Sequence, residues 1–192
     1  MSDSFHDGNR VLQDRFDTRN LADYCYAKLV RDRVNPKQRA FIESADMFFL
    51  ATADDKGQPS CSYKGGDPGF VRVVDDQTLA IPNYDGDGKY LSCGNVLKNP
   101  NVGMIFIDFQ RGWRLRVHGI ATIDPADPLL ADSPGAQFIV RVRIREIFGN
   151  CPRYIHKYQL VERNTFVPRA GLATPIPDGN AVLPKNDPAR SG

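Results

Sequence analysis

Three stretches of this chain carry side chains that could grip an anion or the polar edge of a ring. The first is Ser60-Cys61-Ser62-Tyr63-Lys64-Gly65-Gly66. It places hydroxyls and a lysine at the end of an extended run, followed by two glycines. Glycines let main-chain N–H groups approach an oxyanion, and the hydroxyls and ammonium add donors. The second runs from Tyr84 to Asn95, where Lys89, Ser92 and Asn95 recur at i, i+3 and i+6. That spacing puts them on one side of a short helix, close to its N-terminal N–H groups and positive dipole end. The third is Arg111 to His118, with Arg114 and Arg116 on one face of a strand. Two cations on one face need water or anions: a phosphate, a ring carbonyl or a partner's carboxylate. Taken singly, each stretch reads equally well as a turn with a solvated lysine, a capped helix, or a packed strand with its tryptophan, Trp113, at an interface.

Other chemistry is not written in the chain. It holds no G-x-S-x-G, H-E-x-x-H, G-x-x-x-x-G-K-[ST] or post-strand G-x-G-x-x-G motif. His118 stands beside Gly119 with no nearby nucleophile and reads as a barrel-wall or interface histidine. The four cysteines, Cys25, Cys61, Cys93 and Cys151, are too scattered for a zinc site or a disulfide framework.

The elements that must position these residues follow from periodicity. Residues 1–17 are polar and read as irregular. Leu21, Tyr24, Cys25, Leu29 and Val30 keep helical spacing over 20–33. Asn35-Pro36 is an N-cap followed by a first-turn proline, opening a helix over 36–45 with Phe41 and Ile42 inward. Met47–Ala53 and Gln58–Tyr63 are predicted as a hairpin about Asp54–Gly57. Phe70–Val74 and Thr78–Ile81 are short strands. Pro82–Gly88 is a loop, and Tyr90–Leu97 a helix stopped at Asn99-Pro100. Val102–Phe109 and Leu115–Ile123 pair through a turn at Gln110-Arg111-Gly112, and Pro125–Ala131 is helix or turn. Phe138–Phe148 alternates apolar and basic residues, a strand with one wet face. This order predicts a mainly β, α+β fold: an antiparallel split β-barrel of Greek-key type, six to seven strands with peripheral helices. The domain reading is a helical segment at 1–45 packed on the barrel, the barrel at 46–167, and a Pro-rich arm at 168–192.

Composition is that of a globular protein: 192 residues, 41% hydrophobic, 25% charged, net charge +2. The charge is too small to argue for nucleic acid or a membrane surface. No apolar run approaches the roughly 18 residues of a spanning helix, and the polar start lacks a signal-peptide core. A cytoplasmic protein is the expectation.

Together the stretches resemble the FMN-binding split-barrel family that includes pyridoxamine 5′-phosphate oxidase. The resemblance runs through FFLATADDKGQPSCSYKGG (48–66), GFVRVVDDQTLAIPNYDGDGKYLSCGNVLKNPNVGMIFID (69–108) and RLRVHGIATI (114–123), with FGNCPRYIH (148–156) typical of one branch. It covers about three fifths of the chain. It implies a homodimer with FMN in the groove between subunits. Ser62, Tyr63 and Lys64 resemble the stretch along the flavin ring and ribityl chain. Asn83 and Tyr84 are similar to the segment that meets the ribityl or phosphate. Lys89, supported by Ser92 and Asn95, resembles the phosphate clamp. Arg114, with Arg116 beside it, takes the place of the polar residue reaching the ring from the other subunit. The chain departs from the vitamin B6 oxidases, which end in R-x-H and R-L-x-P; the nearest element is Arg153-Tyr154-Ile155-His156. The resemblance therefore implies an oxidoreductase of another branch, its hydride and electron chemistry supplied by FMN and its substrate unnamed. The alternatives are a flavin protein for storage or sensing, and a split barrel holding F420 or haem.

Overall fold

The computed structural model describes residues 5–175; most of the segment predicted as a C-terminal arm lies outside them. Three helices lead in: α1 (Asp7–Arg15), α2 (Arg19–Leu29) and α3 (Pro36–Ser44). The first corrects the sequence reading of an irregular start. The His6 ring accepts a hydrogen bond from the Gly8 N–H at 3.1 Å, and Asn9 accepts from the His6 N–H at 3.2 Å. This reciprocal cap starts a helix that no apolar stripe announces, and ion pairs Arg10–Asp23 and Arg19–Asp14 tie it to α2. α3 begins as its sequence demands, with Asn35 and Gln38 capping each other at 2.9 Å and Pro36 in the first turn. It buries Ile42 completely.

Seven strands follow: β1 (Met47–Ala53), β2 (Pro59–Gly65), β3 (Arg72–Val73), β4 (Thr78–Tyr84), β5 (Asn101–Asp108), β6 (Trp113–Asp124) and β7 (Ala136–Gly149). Helix α4 (Leu91–Lys98) links β4 to β5, and a 3-10 turn at Pro128–Leu130 precedes β7. The strands form one antiparallel sheet in the order β2-β1-β5-β6-β7-β4-β3, whose end strands do not pair with each other. The fold is an α+β split barrel with an open sheet.

Alternation along the strands fills its interior. Phe48, Phe106, Leu79, Val117, Val142 and Ile147 are fully buried, and Phe48 stacks on Phe106 at 5.1 Å. The hairpin β1–β2 turns at Gly57, whose φ of 79° is unfavourable for any side chain, while Asp54 accepts the Lys56 and Gln58 N–H bonds. Two strand bounds differ from expectation. The strand foreseen at Phe70–Val74 shrinks to two residues. β4 continues through Pro82 to Tyr84, where a loop was expected. β3 covers β4 only at Leu79 and Ala80, so Pro82 stands beyond the end of that edge strand, where a proline is tolerated.

Against β6, β7 carries an inserted residue: His118 faces Glu146 while Gly119 faces Ile144, leaving Arg145 as a bulge. That is why Ile144 and Ile147, an odd number apart, both point inward. Gly119 sits at this bulge, and a Cβ on it would lie 2.5 Å from the Arg143 carbonyl oxygen and 2.6 Å from Val142 Cγ1. Backbone cannot yield cheaply there. Gly119→Ala should therefore destabilise the fold by about 1–3 kcal/mol, as overpacked cores do. Urea unfolding should show a lower midpoint with an unchanged slope; an unshifted midpoint would mean the bulge accommodates the methyl.

Candidate functional site

The best-furnished cleft lies where β2, the end of β4 and the start of α4 meet. It has a volume of about 220 Å³. On β2, Ser60, Ser62 and Lys64 alternate onto the cleft side. The Ser62 hydroxyl lies 3.0 Å from that of Ser92, joining β2 to α4. Asn83 and Tyr84 close the side formed by β4. Asn83 accepts from the Cys93 thiol at 3.4 Å and donates to Gln137 at 3.1 Å, and the Tyr90 hydroxyl donates to the same Gln137 oxygen at 3.1 Å. Gln137, 53 residues beyond Tyr84, is the hub that holds the 84–90 loop. No motif marks it in the sequence; only the pairing of β4 with β7 brings it there.

Tyr90 precedes α4 in a left-handed conformation, φ 50°, and caps nothing with its side chain. The first N–H groups of α4 are therefore left without a side-chain acceptor, beside three hydroxyls. Lys64 stands among them, with no carboxylate paired to it among the described residues. Such a concentration of donors at a helix start is suited to an anion. Burial pushes the Cys93 thiol up, against the pull of Lys64, so this sulfur stays protonated near neutrality. Burial likewise raises the Tyr84 phenol.

The structure thus gathers Ser62, Lys64, Asn83, Tyr84 and Ser92. The other residues singled out in the sequence lie elsewhere. Tyr63 alternates to the outer face of β2, 62% exposed, against Phe49. Lys89 precedes α4 rather than joining its face, and pairs with Asp87 at 3.1 Å on the rim. Asn95 turns inward and donates to Thr52 at 3.0 Å, fastening α4 to β1. Arg114 and Arg116 are on the outer face of β6, opposite Ile107 and Ile105 of β5.

Lys64 and Arg114 are on opposite sides of one sheet. Lys64 pairs with Phe48, Phe48 stacks on Phe106, and Phe106 pairs with Leu115, all on the interior face. Arg114 is Leu115's neighbour and points the other way. Three strand spacings, about 14 Å, also separate them. His118, on the Arg114 face, bonds through Nδ1 to Glu146 at 2.9 Å, and Tyr26 donates to the same carboxylate. Burial raises Glu146, but these two bonds outweigh it and hold the carboxyl below its ordinary range.

A family profile described as pyridoxamine 5′-phosphate oxidase matches residues 34–164. The chain belongs to the pyridoxamine 5′-phosphate oxidase family. Among solved structures it is similar to HupZ of group A Streptococcus, with 19% identity over 66% of this chain and 99% of that one and a TM-score of 0.50. It is also similar to a protein described as a candidate pyridoxamine 5′-phosphate oxidase of Lactobacillus delbrueckii, with 21% identity over 62% and 95% and a TM-score of 0.50. An FMN-binding protein of Syntrophomonas wolfei shares 13% identity over 73% and 97%, with a TM-score of 0.49. At 19–21% identity the likeness to the first two is one of fold. No curated protein matches the chain. Among the described residues no helix is long and apolar enough to cross a membrane.

Proposed function

We propose that the cleft at β2, β4 and α4 receives the phosphate and ribityl end of FMN, and that two copies of the chain complete the flavin site as an FMN-dependent oxidoreductase. The observation that carries this reading is the start of α4: N–H groups without a side-chain cap, facing Ser62, Ser92 and an unpaired Lys64. About 220 Å³ falls short of the roughly 300–1,000 Å³ of pockets that enclose whole ligands, so the ring must extend beyond this cleft. The outer sheet face supplies a reason for a second copy. Tyr63, Phe49, Ile105 and Arg116 form one transverse row across it, an apolar band ending in a cation. A closed two-fold dimer would cover that band and bring Arg114 of one subunit toward the cleft of the other.

FMN, when bound, supplies hydride and single-electron transfer through its ring. The protein's share is binding and orientation. Ser62 and Ser92 donate to phosphate oxygens with the α4 N–H groups. Lys64 would hold the ribityl end, and Arg114 of the other copy would offer charge to the ring.

Lys89 tests the phosphate end. Its ion pair with Asp87 is exposed and weak, so it can turn to a phosphate at small cost. Lys89→Ala should weaken FMN binding by about 1.5–3 kcal/mol, the range of a charge-assisted bond, while leaving the thermal midpoint of the FMN-free protein in place. Titration of FMN fluorescence measures it. Equal affinity in the variant would remove this loop from the site, and no FMN binding by the wild type would sink the reading altogether.

A further inference from the structure

A second and larger cavity, about 360 Å³, opens between α3 and the start of β6. Its walls are Phe41, Leu115 and Pro152, with Trp113 exposed beside them. Arg114, Asn150 and Lys37 supply polar groups, with the capping pair Asn35 and Gln38, and no Asp or Glu lines the cavity. Among the described residues two buried side-chain polar atoms lack any hydrogen-bond partner: Arg114 Nε and Asn150 Oδ1. Both belong to residues of this one cavity, and the Asn150 N–H bonds the Arg114 carbonyl at 3.3 Å. Buried polar groups are otherwise almost always paired, so two orphans in one cavity point to a missing partner.

The chemistry of that partner can be read from the lining. Nε–H and an adjacent Nη–H form the two-donor edge of a guanidinium that matches a carboxylate. Lys37 adds a second cation with no carboxylate paired to it. Phe41 and Trp113 offer aromatic surface to a flat ring. Asn150 Oδ1 accepts a donor, as a ring hydroxyl would give. The first cleft differs in kind, with serine hydroxyls and a helix start suited to phosphate. We propose that this second cavity is a binding site for a small planar aromatic carboxylate bearing a hydroxyl. The proposal does not require FMN to bind; Arg114 is common to both readings, and the experiment separates them.

Trp113 is the sole tryptophan of the chain, so its fluorescence reports this cavity directly. The FMN-free full-length protein titrated with 4-hydroxybenzoate should give a saturable fluorescence change. Cyclohexanecarboxylate, lacking the flat ring, and inorganic phosphate should bind at least tenfold more weakly. Arg114→Leu and Asn150→Ala should each raise the dissociation constant tenfold or more, whereas Lys64→Ala in the first cleft should leave it unchanged. Lys37→Ala, at an exposed position that cannot unfold the protein, should raise it several-fold. No saturable signal, or indifference to both Asn150→Ala and Lys37→Ala, would overturn the proposal. Binding of the acid without binding of FMN would sink the flavin reading alone, leaving the second site standing.

Discussion

With the proposed flavin site shared between two copies, Lys64→Ala and Arg114→Ala should each lose FMN, and a mixture of the two should regain about a quarter of the sites. The expectation comes from the two faces of one sheet. Lys64 belongs to an interior row with Phe48 and Phe106, and Arg114 to the outer face of β6. One subunit cannot bring both to the same ring. If both touch a flavin, each site takes Lys64 from one copy and Arg114 from the other. Removing either charged donor should cost about 1.5–3 kcal/mol of FMN affinity, a loss of roughly 10- to 150-fold. Random exchange makes half of the dimers mixed, and each mixed dimer holds one intact and one doubly damaged site. Flavin fluorescence quenching reads the recovered fraction, and mass labelling shows that exchange took place. Exchange without recovery would mean that the two residues do not meet across an interface, and the dimeric flavin site would have to be abandoned.

Arg141→Leu should lower stability by on the order of 3 kcal/mol, or roughly 6–12 °C in the thermal midpoint for a chain of this size. Asp127 begins the 3-10 turn before β7 and accepts the Leu129 N–H at 2.9 Å. Its side chain is 0% exposed and is bonded by Arg141 through both Nε and Nη2. Arg141 itself is 32% exposed, which sets the cost at the low end of that for breaking a buried pair. Without Arg141 the carboxylate would be covered and unpaired. The pH dependence has a definite sign. The hydrogen bond from Arg141 holds the Asp127 carboxyl below the ordinary carboxylate range. The unfolded chain therefore binds this proton more readily. The stability it contributes is present above the unfolded value of about 3.9 and lost as pH falls through the folded value. Denaturation of wild type and Arg141→Leu should thus differ most near pH 6–7 and converge below about pH 4. A difference that stays constant across that range would assign the loss to packing of the arginine stem.

Local patterns carried most of the fold. Asn35-Pro36 fixed the start of α3, the turn residues at 54–57 and 110–112 fixed two hairpins, and alternation of apolar and basic residues marked β7. α1 was illegible because its stability rests on an unusual histidine cap and on ion pairs to α2, with no apolar stripe. β4 ran past Pro82 because the edge strand beside it stops short, a fact of pairing rather than of composition.

The site was legible in part, and the division follows from distance along the chain. Ser62, Lys64 and Ser92 were recognisable because donors, glycines and a helix start lie within a few residues of each other, and a period of two places Ser62 and Lys64 together while sending Tyr63 away. The sequence by itself determined those local directions, the apolar interior and the family. Tertiary structure alone decided that Gln137 holds the loop from across β4, that Asn95 serves β1, and that Arg114 shares its cavity with Asn150 and faces away from Lys64. These are contacts between residues 35 to 55 positions apart. They are set by which strands pair, in what register and around which bulge, and the residue inserted at Arg145 resets the faces of β7 in a way that no count along the chain announces.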